Sequence, residues 1–144
     1  MYGLVQAGHA KDYVEAMWLM LQQEKPKDFV IATGITTCVR EFVRMSFAEL
    51  GIEISFLGEG IDEIGIVEAC HNSNYLITLG KVVVKVDERY FRPKEVKLLI
   101  GDPKKANTKL GWIPKYNLKS LVKDMVQSDL AFYEKDQSKQ LQYK

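Results

Sequence analysis

Apolar residues recur at helical spacing over residues 10–23, AKDYVEAMWLMLQQ. Ala10, Tyr13, Val14, Met17, Trp18 and Leu21 form one stripe of a helix with 3.6 residues per turn. The pattern predicts a first helix that packs through this stripe, with Asp12 and Glu15 on its solvated side. The charged run EKPKD ends it, and FVIAT at 29–33 reads as a short strand closed by Gly34. Thr36 or Thr37 is placed to cap a second helix. Its apolar face is Val39, Phe42, Val43, Phe47 and Leu50, and Gly51 stands at the position where helices end. IEISFL at 52–57 alternates as a strand does, GEGIDEIG at 58–65 reads as a loop or irregular edge, and KVVVKVD at 81–87 is the clearest strand.

Beyond residue 87 the segment RYFRPKEVKLLIGDP reads as a loop with a brief extended piece. Asp102-Pro103 opens a short helix, Asp as cap and Pro at the first helical position, which stops at Gly111. Asn117 is placed to cap a last helix that packs through Leu118, Leu121, Val122, Met125 and Val126. The polar tail from residue 134 is expected to fray. Helices and strands mix along the chain, which makes the fold class α/β. The strands are too few and too scattered for a self-contained doubly wound sheet.

Composition adds boundaries more than content. With 144 residues, just under half of them apolar, the chain can build one core. A net charge of +1 gives no basic field for nucleic acid or for a membrane surface. No stretch approaches the ~18 apolar residues of a membrane span, and the first residues show no signal peptide. Cys38 and Cys70 form no C-x-x-C pair or disulfide framework, which fits a reducing, cytoplasmic setting.

The stretch RYFRPKEV, 89–96, carries the chemistry worth weighing. Tyr90 and Lys94 have the spacing of a catalytic tyrosine–lysine pair, which requires both on one helical face. Pro93 lies between them, removes a helical hydrogen bond and biases the preceding residues to extended geometry. The pair is therefore set aside, and no catalytic residue is assigned. Gly58-Glu-Gly60-Ile-Asp-Glu63 falls short of a dinucleotide fingerprint: the third glycine is missing and three carboxylates would repel a pyrophosphate. No nucleophile elbow, P-loop or metal-ligand spacing is present, and Cys70-His71 has no partner at a recognised distance from His9 or Cys38. What remains is Arg92 and Glu95. An arginine on a proline-stiffened loop suits a phosphate, because its planar fork binds two oxygens. A carboxylate three residues on can accept from sugar hydroxyls. The alternative is an ion pair between the two, or with Lys94 and Arg89.

GHAKDYVEAMW (8–18), FVIATG (29–34), VREFVRMSFAELGI (39–52), YFRPKEV (90–96) and LIGDPKKANTKLGWIPKY (99–116) resemble the C-terminal part of GDP-mannose 4,6-dehydratase, an extended short-chain dehydrogenase/reductase family. The pattern GDP-x-K-A-x-x-x-L-G-W-x-P alone is shared by nucleotide-sugar epimerases and dehydratases. GHAKDYVEAMW and YFRPKEV narrow it to the GDP-mannose branch. The resemblance runs from about Gly8 to Val126. It departs at the leader, where the family reads R-D-W and this chain reads Val5-Gln6-Ala7, and it is weaker over 64–80.

The resemblance implies a substrate-binding C-terminal portion over 8–133, lacking most of the Rossmann sheet, between an atypical leader (1–7) and a polar tail (134–144). Family members bind NADP on an N-terminal domain that also carries the catalytic threonine, glutamate, tyrosine and lysine. They convert GDP-mannose to GDP-4-keto-6-deoxymannose on the way to GDP-fucose. Carried onto this chain, the pattern gives Arg92 the diphosphate and Glu95 the ribose of GDP-mannose or GDP, with NADP not expected to bind this chain alone. The chain then reads as a fragment, inactive alone, or as a non-catalytic oligomerisation or interaction module for a full-length dehydratase. Without the Rossmann half, apolar helix faces lose their cover, and a dimer or larger homo-oligomer is expected.

Overall fold

The computed structural model describes residues 3–91 and 100–142. In chain order the elements are β1 (Leu4–Val5), α1 (Ala10–Leu21), β2 (Thr37–Cys38), α2 (Val39–Glu49), β3 (Ile52–Leu57), β4 (Ile64–Cys70), β5 (Val82–Lys85), α3 (Lys104–Leu110) and α4 (Leu118–Gln142). Single 3-10 turns lie at Gly60–Asp62 and Glu88–Tyr90. The class is mixed α/β. β3, β4 and β5 form an antiparallel three-stranded sheet, and β1 pairs with β2 in a separate two-stranded ribbon. The leader is thus tied into the fold, since Leu4 lies opposite Cys38 and Val5 opposite Thr37.

The three-stranded sheet carries one core. Ile52, Ile54 and Val67 are buried, and Val43, Phe47 and Leu50 of the second helix pack on them. Each such aliphatic burial is worth about 1.5–3 kcal/mol. β4 begins in the segment read from sequence as a loop or irregular edge, 58–65, and runs on through residues to which the sequence reading gives no element. Its inward positions include Gly65, so the alternation is invisible in hydropathy. A side chain there would meet Val84 at 2.9 Å and Phe56 at 3.3 Å, so only glycine lets these two neighbours close over the strand. α2 starts two residues after Thr37, with Cys38 at its N-cap and no side-chain cap; neither threonine caps it, because Thr37 is held in the ribbon. Its other end follows expectation, with Gly51 at φ 76 directly after the helix.

A second core joins α1 to α3: Ala16, Ala106, Leu110 and Trp112 are buried, with Leu19, Met20, Phe29 and Ile31 packed around them. Here the sequence reading of α1 is corrected. The helix packs through Asp12, Ala16, Leu19 and Met20, and Asp12, expected on a solvated face, is 2% exposed. The Asp12 carboxylate accepts the backbone N–H of Lys115 at 3.1 Å and of Tyr116 at 3.1 Å. Its carbonyl accepts the Trp112 indole N–H at 2.9 Å. A buried carboxylate is tolerable when donors aim at it, and here the loop after α3 supplies them. Glu15 is closer to expectation: it is partly exposed and pairs with the Lys115 ammonium at 2.6 Å.

FVIAT is extended but is not a strand, because no ladder partner lies beside it among the described residues. Phe29 and Ile31 turn to the α1–α3 core while Val30 stays exposed and Ala32 is buried. At the far end, α3 opens with the Asp102 carboxylate accepting the Lys104 N–H at 3.0 Å, with Pro103 as the residue before the helix, and closes at Gly111. Asn117 caps α4 as expected, accepting the Ser120 N–H at 2.9 Å. That helix buries Leu121 and Val122 and runs on to Gln142, through the segment expected to fray. His9 ties its middle to the start of α1. The Lys11 N–H points at His9 Nδ1, so Nε2 carries the hydrogen and donates to Asp124 at 2.9 Å.

Removing the Asp12 carboxylate takes the acceptor from two backbone donors at once. Asp12→Ala is expected to lower unfolding free energy by about 2–4 kcal/mol in urea titrations, whereas Glu15→Gln, at a solvated pair, changes it by less than about 0.5 kcal/mol. Equal effects at the two sites would refute the buried role. The hydrogen bond from His9 holds the Asp124 carboxyl below its ordinary value of 3.8, with Lys11 adding a smaller Coulombic pull. A carboxyl lowered in the folded state stabilises above its ordinary range and loses that contribution as pH falls through the lowered value. Asp124→Asn is therefore expected to be less stable than the parent at neutral pH, with the difference vanishing in acid.

Candidate functional site

Residues 92–99, including Arg92, Pro93, Lys94 and Glu95, lie outside the described residues, so the site is built from its flanks. On the leading side β5 gives way to Asp87, which caps the turn Glu88–Tyr90 by accepting the Arg89 N–H at 3.0 Å. The same carboxylate takes the Arg89 side chain in a two-point contact, Nε to Oδ1 at 3.1 Å and Nη2 to Oδ2 at 2.6 Å. Each group strengthens the other's charge: Arg89 holds the Asp87 carboxyl below its usual range, and Asp87 raises the guanidinium above its own. The guanidinium also stands over the Tyr90 ring at 5.6 Å. Arg89 is thereby occupied locally by Asp87.

Phe91 completes this flank. Its ring lies against the turn that joins β3 to β4, 3.9 Å from where a Gly60 Cβ would stand. That turn is itself pinned from below. Arg40, in the first turn of α2, donates through Nε to the buried Glu63 carboxylate at 2.7 Å and lies over the Phe56 ring at 5.5 Å. Glu63 is 1% exposed, so this ion pair sits in a low-dielectric setting where a partner is needed for the charge to be kept. Sequence reasoning missed Arg40 and Glu63 as a pair. Their separation of 23 residues carries no local signal, and Glu63 had been counted among the carboxylates of a loop.

The trailing flank is Ile100–Gly101. The Gly101 N–H donates to Gln6 Oε1 at 3.3 Å. A Gly101 side chain would stand 2.7 Å from the Ala32 Cβ and 3.1 Å from Val30, so the backbone reaches the extended segment 29–33 only because no Cβ intervenes. Asp102 then caps α3, and the Trp112–Tyr116 loop locks onto Asp12. The residues on either side of 92–99 are therefore seated on separate elements, Phe91 on the β3–β4 turn and Gly101 on the segment 29–33.

The catalytic alternative finds no support in the described flank. Tyr90 ends its single turn of 3-10 helix and is exposed, and Phe91 after it is extended at φ −69, ψ 125. A helical face running on from Tyr90 is thus broken one residue later, while Lys94 lies outside the described residues. The Gly58–Glu63 stretch also fails as a dinucleotide cradle. It is a tight connection between antiparallel strands, not the start of a long helix, and Glu63 within it is committed to Arg40. The Gly58–Glu63 connection is therefore no pyrophosphate cradle. Among the described residues no group of three or more His, Cys, Asp or Glu side chains is arranged to hold a metal ion, and no helix is long and apolar enough to cross a membrane.

Comparison with known proteins completes the site. A family model described as GDP-mannose 4,6 dehydratase matches residues 5–125. The chain is 54% identical over 125 residues to GDP-mannose 4,6-dehydratase of Yersinia enterocolitica, covering 85% of this chain and 33% of that protein. It is 54% identical over 125 residues to GDP-mannose 4,6 dehydratase of Dictyostelium discoideum, covering 87% and 33%. The protein of the same name in Cricetulus griseus is 50% identical over 123 residues, covering 85% and 31%. The chain spans about a third of the length of these relatives. The matched stretch takes in both cores and residues 92–99, and the chain belongs to the GDP-mannose 4,6-dehydratase family.

Proposed function

We propose that this chain is the nucleotide-sugar-binding, C-terminal portion of an extended short-chain dehydrogenase/reductase, and that it holds GDP-mannose or GDP on the loop 92–99. The observation that carries this reading is the loop's double bracing inside the family match: Phe91 on the β3–β4 turn at one end, Gly101 on Ala32 at the other. On that loop, Arg92 forks onto the diphosphate and Glu95 accepts from the ribose hydroxyls. Arg89, taken by Asp87, leaves that anion to Arg92.

The division of labour follows from what the residues can do. Conversion of GDP-mannose to GDP-4-keto-6-deoxymannose moves a hydride, which bound NADP supplies and accepts in the family. The Gly58–Glu63 turn forms no dinucleotide cradle, and on this reading the chain binds and orients the sugar nucleotide while proton and hydride movement belongs to residues outside it. Its working compartment is the cytoplasm, in keeping with two free cysteines. A second reading, a non-catalytic module that associates with a full-length dehydratase or with itself, is favoured by the exposed apolar stripe of α1.

Calorimetry separates these. The chain is expected to bind GDP weakly, at about millimolar dissociation constant. Arg92→Ala is expected to weaken binding at least about tenfold, since one charge-assisted bidentate contact is lost, while Arg89→Ala leaves it within about threefold. No heat with GDP at several millimolar, or equal losses at the two arginines, would refute the assignment. With GDP-mannose and NADP added, the purified chain is expected to form no keto sugar.

A further inference from the structure

His9 ties α1, α4 and the loop after α3 together through one ring. It is 6% exposed and stands at the N-cap of α1. Nδ1 accepts the Lys11 N–H at 3.1 Å, and Nε2 donates to Asp124 at 2.9 Å. The ring stacks on Tyr116, with 4.0 Å between centroids. Tyr116 in turn gives its N–H to Asp12, which lies in the first turn that His9 caps. The cap, the stack and the buried carboxylate therefore form one closed cluster.

The two ring nitrogens are committed in opposite senses, one accepting and one donating, and only a neutral imidazole can do both. A second proton makes Nδ1 a donor that faces the Lys11 N–H. Turning the ring over gives no relief, because both nitrogens then donate. A helix whose N-cap acceptor is lost gives up the stabilisation it brought to the first turn. The charges around the ring pull in opposite directions. From α4, the Asp124 carboxylate favours the added proton. From α1, the Lys11 ammonium, 5.6 Å from the centroid of the Tyr116 ring, opposes it. The Asp12 carboxylate is held by the Lys115 and Tyr116 N–H groups, and the Lys115 ammonium by Glu15. Lys123, beside Asp124 on α4, is exposed.

We propose that His9 is a proton-operated latch: its neutral ring holds the first turn of α1 and the loop 112–116 in place, and uptake of a proton at Nδ1 loosens both while the contact with Asp124 persists. Histidine is the side chain that ordinarily changes charge between about pH 5 and about pH 8, whereas carboxyl groups ordinarily titrate below that window. The proposal does not depend on nucleotide binding.

Nuclear magnetic resonance on the full chain from about pH 8 to about pH 5 tests this, with each amide's protection corrected for its intrinsic exchange rate. As the His9 ring titrates, protection at Lys11, Lys115 and Tyr116 is expected to fall about fivefold, while the β3–β5 sheet keeps its own. His71, the other histidine, pairs with Glu53 on that sheet at 2.9 Å and serves as the internal control. His9→Asn supplies a good cap that does not titrate, and is expected to hold the three amides within about twofold across the range. His9→Ala is expected to show the lowered protection throughout, with circular dichroism confirming that both variants are folded. Protection that stays flat while the parent's His9 titrates would overturn the proposal. So would a ring that never takes up the second proton in this window, or an acid response undiminished in His9→Asn.

Discussion

One buried carboxylate holds this fold closed. Asp12 sits in the first turn of the first helix and takes two backbone N–H groups from residues more than 100 positions away. The same residue's carbonyl receives the indole of Trp112, the largest fully buried side chain. The loop after α3 has no regular ladder to satisfy its backbone groups, so a side chain must. Through Asp12 the segment after α3 is held on α1, and just before α3 Gly101 approaches Ala32 closely. The leading flank of 92–99 depends on a second buried charge, Glu63, whose pairing with Arg40 steadies the turn beneath Phe91.

Much of the architecture follows from local rules. The body and C-terminal end of the second helix, β3, β5 and the glycine end of α3 lie where periodicity and glycine placed them. What escaped notice depends on contacts between distant residues. β4 was hidden because one inward position is Gly65, which removes the apolar signal where the sheet packs most closely. FVIAT had the composition of a strand but no neighbour to pair with. Hydropathy chose the wrong face of α1, since the helix has two apolar sides and the buried one is marked by an aspartate.

The site was legible to a different degree. Arg92 and Glu95 are proposed because an arginine and a carboxylate beside a proline suit a phosphate and a sugar. The family resemblance, supported by the match over 5–125, gave them their roles. Arg40 and Glu63 could not be read as a pair, because nothing in a linear sequence marks two charges that meet across 23 residues. Asp12 was read as solvated for the same reason, as its partners are backbone groups and have no sequence signature.

Hydrogen–deuterium exchange on the chain with and without saturating GDP tests the central claim most directly, because it reports each backbone segment separately. The account predicts slowed exchange concentrated in peptides covering 88–101, with the α1 stripe and the β3–β5 sheet unchanged. Protection confined to other segments, or no protection at a GDP concentration where binding is independently measured, would contradict it.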